Sequence, residues 1–481
     1  MEKLLNFIDG NYCTPIDNRY FDNIDPSTGL VYSLIPDSDE KDLSLAVSAA
    51  EKAFPIWSNM PAEERSKILV RLSEGIEKRM EQFVAAESKD NGKPLTLARH
   101  VDIPRAVSNF HFFATAILHF ASESHYMEGI GINYTTRKPL GIVGCISPWN
   151  LPLYLFTWKI APALAAGNCV IAKPSEVTPY TATMLGEIAM EAGLPPGVLT
   201  ILNGTGTKIG DAIVRHPKIK AISFTGGTAT GEQIARTAAP MFKKLSLELG
   251  GKNPTIIFDD CDFNDALKTT IRSSFSNQGQ ICLCGSRIFI QRGIYEKFKM
   301  AFVDKVSTSV VSFPEDPKAN LGAIVSEAHL QKILGHIELA KTEGGKLLVG
   351  GNRLFLSAPY DKGFYLAPTV FEDLPNDCVT NQEEIFGPVV TLMPFDTEEE
   401  VIAMANGTKF GLACSVWTTN VKKAHRVADK LDMGIVWVNS WLVRDLRTPF
   451  GGMKASGVGR EGGLEALRFF TEPKNIFIKV D

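Results

Sequence analysis

The sequence has few cysteines, and their arrangement indicates neither a disulfide scaffold nor a metal site. Eight cysteines are scattered over 481 residues, whereas disulfide-rich domains space theirs densely. Cys282 and Cys284 are separated by a single residue, which is not zinc-site spacing, and the eight histidines form no metal-ligand pattern. We therefore expect reduced thiols in a reducing compartment and no bound metal.

The sequence also lacks a long uninterrupted apolar run and an excess of basic residues. The most apolar stretch, residues 140–172, contains Pro148, Lys159 and Pro162, so it predicts a buried core segment and not the ~20 apolar residues of a membrane helix. The early acidic residues of the N-terminus are not typical of a signal peptide. With a net charge of −4 and a pI near 6.1, neither nucleic acid nor membrane is an expected partner. The expected location is cytoplasmic.

Two successive patterns of alternating strands and helices are present. After predicted amphipathic helices at residues 42–57 and 62–88, short apolar runs predict strands at residues 141–146, 169–172, 198–202 and 221–224. The second pattern follows Gly250, with predicted strands at residues 254–258, 286–290, 411–417 and 434–438. Helices predicted between strands imply parallel sheets covered on both faces, and thus an α/β fold. The length suggests two or three domains, with Gly250 and Gly251 as the hinge.

Three segments carry the side chains that acyl chemistry on a carbonyl needs. Cys282 is a thiol nucleophile in residues 275–287 (FSNQGQICLCGSR), and Glu248 is a carboxylate 34 positions earlier in residues 248–252 (ELGGK). Asn150, in residues 147–150 (SPWN), can donate from its amide to an oxyanion. In an extended segment residues two apart share a face, so Cys284 is a rival nucleophile. Lys159 is better interpreted as a structural ion-pair partner.

These segments, in this order, resemble the NAD(P)-dependent aldehyde dehydrogenase superfamily over nearly the whole chain. The resemblance extends to residues 25–29 (DPSTG), 173–176 (KPSE), 224–231 (FTGGTATG), 383–388 (EEIFGP) and 449–454 (PFGGMK). It implies a Rossmann-like NAD-binding domain at residues 1–120 and 140–249, and an α/β catalytic domain at residues 250–449. It also implies a small β oligomerisation extension at residues 121–139 and 466–481. A homodimer or homotetramer is therefore expected.

The resemblance assigns the chemistry to the three segments above. Cys282 attacks the aldehyde to form a thiohemiacetal, and loss of hydride leaves a thioester. The Asn150 amide and the Cys282 N–H stabilise the oxyanion. Glu248 activates the water that hydrolyses the thioester.

The nucleotide site lacks the Gly-x-Gly-x-x-Gly fingerprint. Glycines after a predicted strand instead let the backbone approach a phosphate. Glu176 would accept from a ribose 2′-hydroxyl and repel a 2′-phosphate, which favours NAD over NADP. Gly227 replaces the serine usual in the family. The cofactor contacts implied are Ile146, Trp149, Lys173, Ser175, Glu176, Gly204, Gly206, Gly226, Gly227, Glu384 and Phe386.

Residues 101–110 and 441–452 resemble a branch of the superfamily that acts on 2-aminomuconate and 2-hydroxymuconate 6-semialdehydes. These small aldehydes carry a carboxylate, which arginine binds bidentately. The resemblance assigns that role to Arg105 and Arg444, with Arg447 in reserve. The alternatives are another small aldehyde such as betaine aldehyde, a CoA-acylating dehydrogenase, and a non-catalytic structural protein.

Overall fold

The computed structural model describes residues 1–480, in which two large, mainly parallel sheets carry helices on their faces. The first has eight strands. In order across the sheet they are Gly457–Val458, Lys244–Glu248, Ile219–Thr225, Ile142–Ile146, Cys169–Lys173, Leu199–Ile201, Asn6–Ile8 and Asn11–Cys13. The strands from Lys244–Glu248 to Leu199–Ile201 are parallel, and the flanking pairs are antiparallel. Each of the four strands predicted for this region is present, because runs that are apolar on both sides suit a covered parallel sheet.

One predicted helix is in fact two. The predicted helix at residues 62–88 is divided into Ala62–Lys78 and Met80–Asn91 by Arg79, whose φ of −107° and ψ of 23° are not helical. Ile76 and Phe83 are fully buried on either side of the break, so the apolar periodicity continues across it and does not reveal it. The other helices near this sheet are Glu40–Asn59, Ile103–Ala116, Pro152–Ala165, Tyr180–Glu191, Asp211–Arg215 and Thr228–Ala238.

The second large sheet has seven strands. In order they are Lys346–Val349, Thr369–Glu372, Val389–Phe395, Gly285–Gln291, Asn253–Ile257, Ala413–Trp417 and Ile435–Val438. The predicted strand at residues 411–417 is interrupted at Leu412, since Phe410–Gly411 pairs with Met453–Lys454 outside this sheet. The helices of this part are Phe263–Phe275, Tyr295–Ser307, Glu327–Thr342, Val379–Gln382, Glu398–Asn406 and Val421–Lys430.

A separate antiparallel sheet of three strands joins two distant parts of the chain. It consists of Ser124–Met127, Gly131–Pro139 and Thr471–Lys479. Its apolar side chains include Tyr126 and Ile478, which are 68% and 50% exposed. The remaining strands and α-helices are Glu2–Lys3, Tyr20–Asp25, Leu30–Pro36, Leu95–Leu97, Arg353–Leu354, Tyr365–Leu366 and Gly463–Phe469.

The carboxyl ends of the parallel strands in the first sheet form one edge. Ile146 is in register with Lys173, and Thr225 with Glu248, so residues far apart in sequence end at the same level. Ligands of α/β sheets bind at this edge. Among residues 1–480, no helix is both long and apolar enough to span a bilayer, and no group of three or more His, Cys, Asp or Glu side chains is placed to hold a metal.

Candidate active site

Cys282 lies in a short loop between the helix Phe263–Phe275 and the strand Gly285–Gln291. The Asn253 side-chain amide donates to the Cys282 and Cys284 carbonyls at 2.6 and 3.0 Å. Trp441 Nε1 donates to the Leu283 carbonyl at 2.9 Å. The loop is therefore fixed by side chains from two other segments, and the Cys282 side chain stays partly exposed.

Cys282 borders two cavities. The arginine cavity, of about 500 Å³, is lined among others by Arg105, Tyr154, Glu248, Cys282, Arg444 and Phe450. The tryptophan cavity, of about 230 Å³, is lined among others by Trp149, Asn150, Gly226, Cys282, Glu384 and Phe386. The thiol is therefore accessible from both sides, as a nucleophile between an aldehyde and a hydride acceptor would have to be.

The rival thiol of Cys284 borders neither of these cavities. The Cys284 N–H donates to the Ile281 carbonyl at 2.9 Å, so the segment is a turn and not the extended strand on which the rivalry was based. Cys284 Sγ is buried and lies 3.8 Å from the Ser276 carbonyl. Only a void of about 20 Å³ is shared by the two cysteines.

Burial disfavours the thiolate of Cys282. It raises the pKa of Cys282, and the nearby carboxylates of Glu384 and Glu248 raise it further, while the positive charge of Arg444 acts in the opposite direction. A thiol in this state needs a base or an added positive charge before it can attack a carbonyl.

Asn150 is held from several directions. Its main-chain carbonyl accepts from Lys93 Nζ at 3.1 Å and from Asn277 Nδ2 at 2.9 Å. Its own Nδ2 donates to the Gln280 carbonyl at 2.9 Å. That bond uses one of two amide hydrogens, so the second is available to an oxyanion beside Cys282.

Glu248 ends its strand as a buried acid. Its side chain lines the arginine cavity, and neither carboxylate oxygen has a hydrogen-bond partner. Burial, and then the charge of Glu461, raise the pKa of Glu248 well above its usual value, against the opposing charges of Lys159 and Arg444. A carboxylate without partners and with a raised pKa is a strong base once ionised.

Lys159 forms the structural ion pair favoured from the sequence. Its Nζ donates to Glu461 Oε1 at 2.7 Å and to Ser223 Oγ at 3.2 Å, and all three residues are buried. Glu461 Oε2 has no partner. Since Glu461 also lines the arginine cavity, a second carboxylate stands beside Glu248.

A third cavity, the strand-end groove, lies at the edge of the first sheet. It has a volume of about 540 Å³ and is lined among others by Ile146, Glu176, Gly206, Phe224 and Thr230. Glu176 accepts from Lys173 Nζ at 2.9 Å and from the Gly206 N–H at 3.1 Å. Burial alone would raise the pKa of Glu176, but the charge and hydrogen bond of Lys173 bring it below its usual value. This carboxylate is therefore held ionised and oriented.

Glu384 and Phe386 lie on the tryptophan cavity. Glu384 Oε1 accepts from the Gly251 N–H at 3.0 Å, and burial raises the pKa of Glu384 to about 7. Gly250 is required for this approach, because a Cβ atom there would overlap the Glu384 carboxylate. The Phe386 ring stands edge-on to Trp149, with centroids 5.2 Å apart.

Arg105 and Arg444 both line the arginine cavity without an ion-pair partner. Neither Arg105 nor Arg444 has an ion pair within 4.0 Å among the described residues, and both are partly buried. Arg447, the reserve candidate, is 81% exposed and paired with Asp445. It does not line the cavity. The structure thus separates Arg105 and Arg444 from Arg447.

Most of the residues expected from the sequence line one of the three cavities. Lys173 contacts the groove through Glu176, whereas Ser175 and Gly204 line none of the cavities described. Sequence reasoning missed Asn253, Tyr154, Glu461 and Arg272, although the position of Asn253 directly after residues 248–252 was a usable signal. Arg272 also lines the arginine cavity, but it donates to the Trp441 carbonyl at 3.1 Å and its guanidinium lies 5.6 Å from the centroid of the Trp441 ring.

Comparison with known proteins places these features in a family. The "Aldehyde dehydrogenase family" profile matches residues 13–476. The chain is 52% identical over 479 residues to the 2-aminomuconic semialdehyde dehydrogenase of Bos taurus, covering 99% of this chain and 98% of that protein. It is 43% identical over 486 residues to the 2-hydroxymuconic semialdehyde dehydrogenase of Pseudomonas sp. (strain CF600), covering 100% of both.

A solved structure agrees over the same length. The NAD⁺ complex of an aldehyde dehydrogenase from Bacillus cereus superimposes with a TM-score of 0.97 at 37% identity, covering 100% of this chain and 97% of that one. The α/β fold expected from the sequence is confirmed by this agreement. The chain belongs to the aldehyde dehydrogenase family.

Proposed function

We propose that this protein oxidises a carboxylate-bearing unsaturated semialdehyde, 2-aminomuconate 6-semialdehyde or 2-hydroxymuconate 6-semialdehyde, to the corresponding dicarboxylate with NAD. The observation that carries the proposal is that Arg105 and Arg444 share a cavity with Cys282 and that neither forms an ion pair within 4.0 Å among the described residues. The names of the relatives from Bos taurus and Pseudomonas support the same substrates.

The thiol of Cys282 first releases its proton to solvent water, and the thiolate then attacks the aldehyde carbon, so that a C–S bond forms and the carbonyl oxygen becomes an oxyanion. The free amide hydrogen of Asn150 and the Cys282 N–H stabilise that oxygen. Lys93 and Asn277 hold the main-chain carbonyl of Asn150, and the Gln280 carbonyl accepts from its side-chain amide, so the donor does not have to be reoriented during the reaction.

Loss of hydride from the thiohemiacetal carbon leaves a thioester on Cys282, and Glu248 then removes a proton from the water that cleaves it. Glu248 faces the arginine cavity, which holds the substrate, and it is free of hydrogen bonds. Glu461, next to it and paired with Lys159, keeps its proton affinity high. This hydrolytic base is what separates the proposal from a CoA-acylating dehydrogenase.

The residues fit a dinucleotide. The helix Thr228–Ala238 has no side-chain cap, so its first N–H groups are available to a phosphate. A Cβ at Gly227 would meet nothing within 4 Å, which leaves that approach open. When bound, NAD supplies the hydride acceptor for the reaction at Cys282.

Family membership and the NAD⁺ complex of the Bacillus cereus enzyme support the use of NAD(P). The finer choice of NAD rests on Glu176. Its carboxylate, ionised and held by Lys173 and Gly206, accepts from a ribose 2′-hydroxyl and repels a 2′-phosphate. Trp149, Glu384 and Phe386 would border the nicotinamide end, and Ile146 and Gly206 the adenosine end.

We also propose a homodimer or homotetramer in the cytoplasm, with residues 1–120 and 140–249 as the cofactor domain and residues 250–449 as the catalytic domain. The three-stranded sheet of residues 124–139 and 471–479 would contact the neighbouring subunit through its exposed apolar side chains. Light scattering during size-exclusion chromatography would test this, and a monomer at micromolar concentration would contradict it.

The test of the function is a panel of aldehydes followed by NADH absorbance. We expect the highest kcat/KM with 2-hydroxymuconate or 2-aminomuconate 6-semialdehyde. Sorbaldehyde, a neutral dienal of the same chain length, and betaine aldehyde should be poorer. Turnover that requires CoA, or equal turnover of the neutral and carboxylated dienals, would overturn the proposal. A thiol whose alkylation is insensitive to NAD would support a non-catalytic protein instead.

A further inference from the structure

Tyr154 occupies a position between the two arginines of the arginine cavity. Arg444 Nη1 donates to the Tyr154 hydroxyl at 2.7 Å, and the Arg105 guanidinium lies 5.5 Å from the centroid of the Tyr154 ring. The tyrosine is 5% exposed and lines the cavity. One side chain therefore contacts both proposed carboxylate ligands.

Arg444 is held on its other sides by aromatic rings. Its guanidinium carbon lies 3.9 Å from the centroid of Phe450 and 5.0 Å from that of Trp158. Trp158 and Tyr154 are four residues apart on the helix Pro152–Ala165, so they project from the same face. The guanidinium is thus oriented by ring contacts and a neutral hydroxyl, and it forms no ion pair within 4.0 Å among the described residues.

The hydroxyl proton of Tyr154 has no acceptor in the protein among the described residues. A phenol has one O–H donor and accepts through its oxygen. The oxygen accepts from Arg444, and the proton is donated to no protein atom among residues 1–480. A hydroxyl that already accepts from an arginine directs its own proton away from that arginine, and the cavity that Tyr154 lines can hold an acceptor for that proton.

We infer that Tyr154 is a third ligand of the substrate carboxylate, donating its hydroxyl proton to the carboxylate while orienting Arg444 and supporting Arg105 through its ring. This inference rests on the proposed function, since it assumes that the two arginines hold a carboxylate. Three donors from Arg105, Tyr154 and Arg444 would fix the carboxylate plane, and thereby the orientation of the aldehyde toward Cys282.

The test is a double-mutant cycle with two substrates. Tyr154→Phe, Arg444→Ala and the double variant are assayed with 2-hydroxymuconate 6-semialdehyde and with sorbaldehyde. Phenylalanine keeps the ring over which Arg105 lies and removes only the hydroxyl. We expect Tyr154→Phe to raise KM for the carboxylated substrate about tenfold with kcat nearly unchanged. Sorbaldehyde kinetics should change less than about twofold and show that the variant is folded.

The Arg444→Ala background distinguishes two roles of Tyr154, direct contact with the substrate carboxylate and orientation of Arg444 alone. If Tyr154 contacts the carboxylate itself, Tyr154→Phe raises KM again in that background. No further rise, or an equal rise with sorbaldehyde, would overturn the inference. If Arg444→Ala loses the preference for the carboxylated semialdehyde over sorbaldehyde while the kinetics of Tyr154→Phe are unchanged, the proposed function stands and only the role of Tyr154 is refuted. If Arg444→Ala and Arg105→Ala both keep the wild-type preference for the carboxylated semialdehyde over sorbaldehyde, the proposed function is contradicted.

Discussion

The two sides of Cys282 are built in opposite ways. On the cofactor side, the charged groups are already satisfied by the protein: Glu176 accepts from Lys173 and Gly206, and Glu384 accepts from Gly251. On the arginine-cavity side, Glu248 has no hydrogen-bond partner, and neither Arg105 nor Arg444 has an acid to pair with.

On the cofactor side, the protein itself orients the groups that contact the ligand. On the arginine-cavity side, the charged groups are left for the substrate to pair with. A paired carboxylate is oriented before the cofactor arrives, so its contribution to binding is modest and constant. An unpaired guanidinium or acid carries a desolvation cost that only a charged substrate or a reaction step relieves. We therefore expect larger effects from variants on the arginine-cavity side than from those on the cofactor side.

Cys282 belongs to both sides, so its removal should have the largest effect. We expect Cys282→Ala to lower kcat by about 10⁴-fold or more, because no other thiol borders both cavities. Cys284→Ala is the matched control and should retain activity within about threefold. Steady-state NADH assays with equal amounts of folded protein measure both, and an inactive Cys284→Ala with an active Cys282→Ala would reverse the assignment.

The next largest effect is expected from Glu248, on the arginine-cavity side. Glu248→Gln should lower kcat by about 10²–10⁴-fold while still releasing a burst of one NADH per site, because only thioester hydrolysis needs the base. Burial raises the pKa of Glu248, and the ionised form is the active base. The wild-type rate should therefore rise with pH, and the variant should keep only the part of that rise that comes from ionisation of the Cys282 thiol. Stopped-flow absorbance would show the burst, and its absence would assign Glu248 to an earlier step.

Arg444 and Arg447 compare an unpaired arginine with a paired one three residues away. We expect Arg444→Ala to raise KM for the carboxylated semialdehyde about 10- to 100-fold, from the loss of a charge-assisted hydrogen bond. Arg447→Ala breaks only an exposed pair with Asp445 and should change KM less than about twofold. Equal effects of the two variants on KM would contradict the assignment of Arg444, and not Arg447, to the substrate carboxylate.

Glu176→Gln should have a smaller effect than Cys282→Ala, Glu248→Gln or Arg444→Ala, because its neighbours hold the Glu176 carboxylate in place. Glu176→Gln should lower kcat/KM for NAD about tenfold and weaken the discrimination against NADP, since an amide no longer repels a 2′-phosphate. The ratio of kcat/KM for the two cofactors measures this. A ratio that stays unchanged would place the discrimination on another residue.

Three of the four residues that sequence reasoning missed, Tyr154, Arg272 and Glu461, line the arginine cavity, and the reason is physical. On the cofactor side, by contrast, Glu176, Gly206 and Glu384 follow strand ends or lie in short contiguous motifs that can be recognised in the sequence. The strands themselves were predictable because each is a short run of apolar residues between glycines or polar residues.

The arginine cavity is assembled from the helices Ile103–Ala116 and Pro152–Ala165 and from the loop around Arg444. Tyr154 appears in the sequence as one more apolar position on a core helix, and only the packing of Arg444 against it reveals a polar role. Glu461 lies 213 residues after Glu248 (461 − 248), and nothing local connects them. The break at Arg79 was also hidden, since buried residues flank it on both sides.

The measurement that most directly tests the central claim is mass spectrometry of acid-quenched Glu248→Gln protein after mixing with NAD and 2-hydroxymuconate 6-semialdehyde. A thioester should accumulate, with the acyl mass on the peptide that contains residues 275–287 and fragmentation assigning it to Cys282. An unmodified peptide despite NADH release, or an acyl group on Cys284, would contradict the claim that Cys282 performs the chemistry between the two cavities.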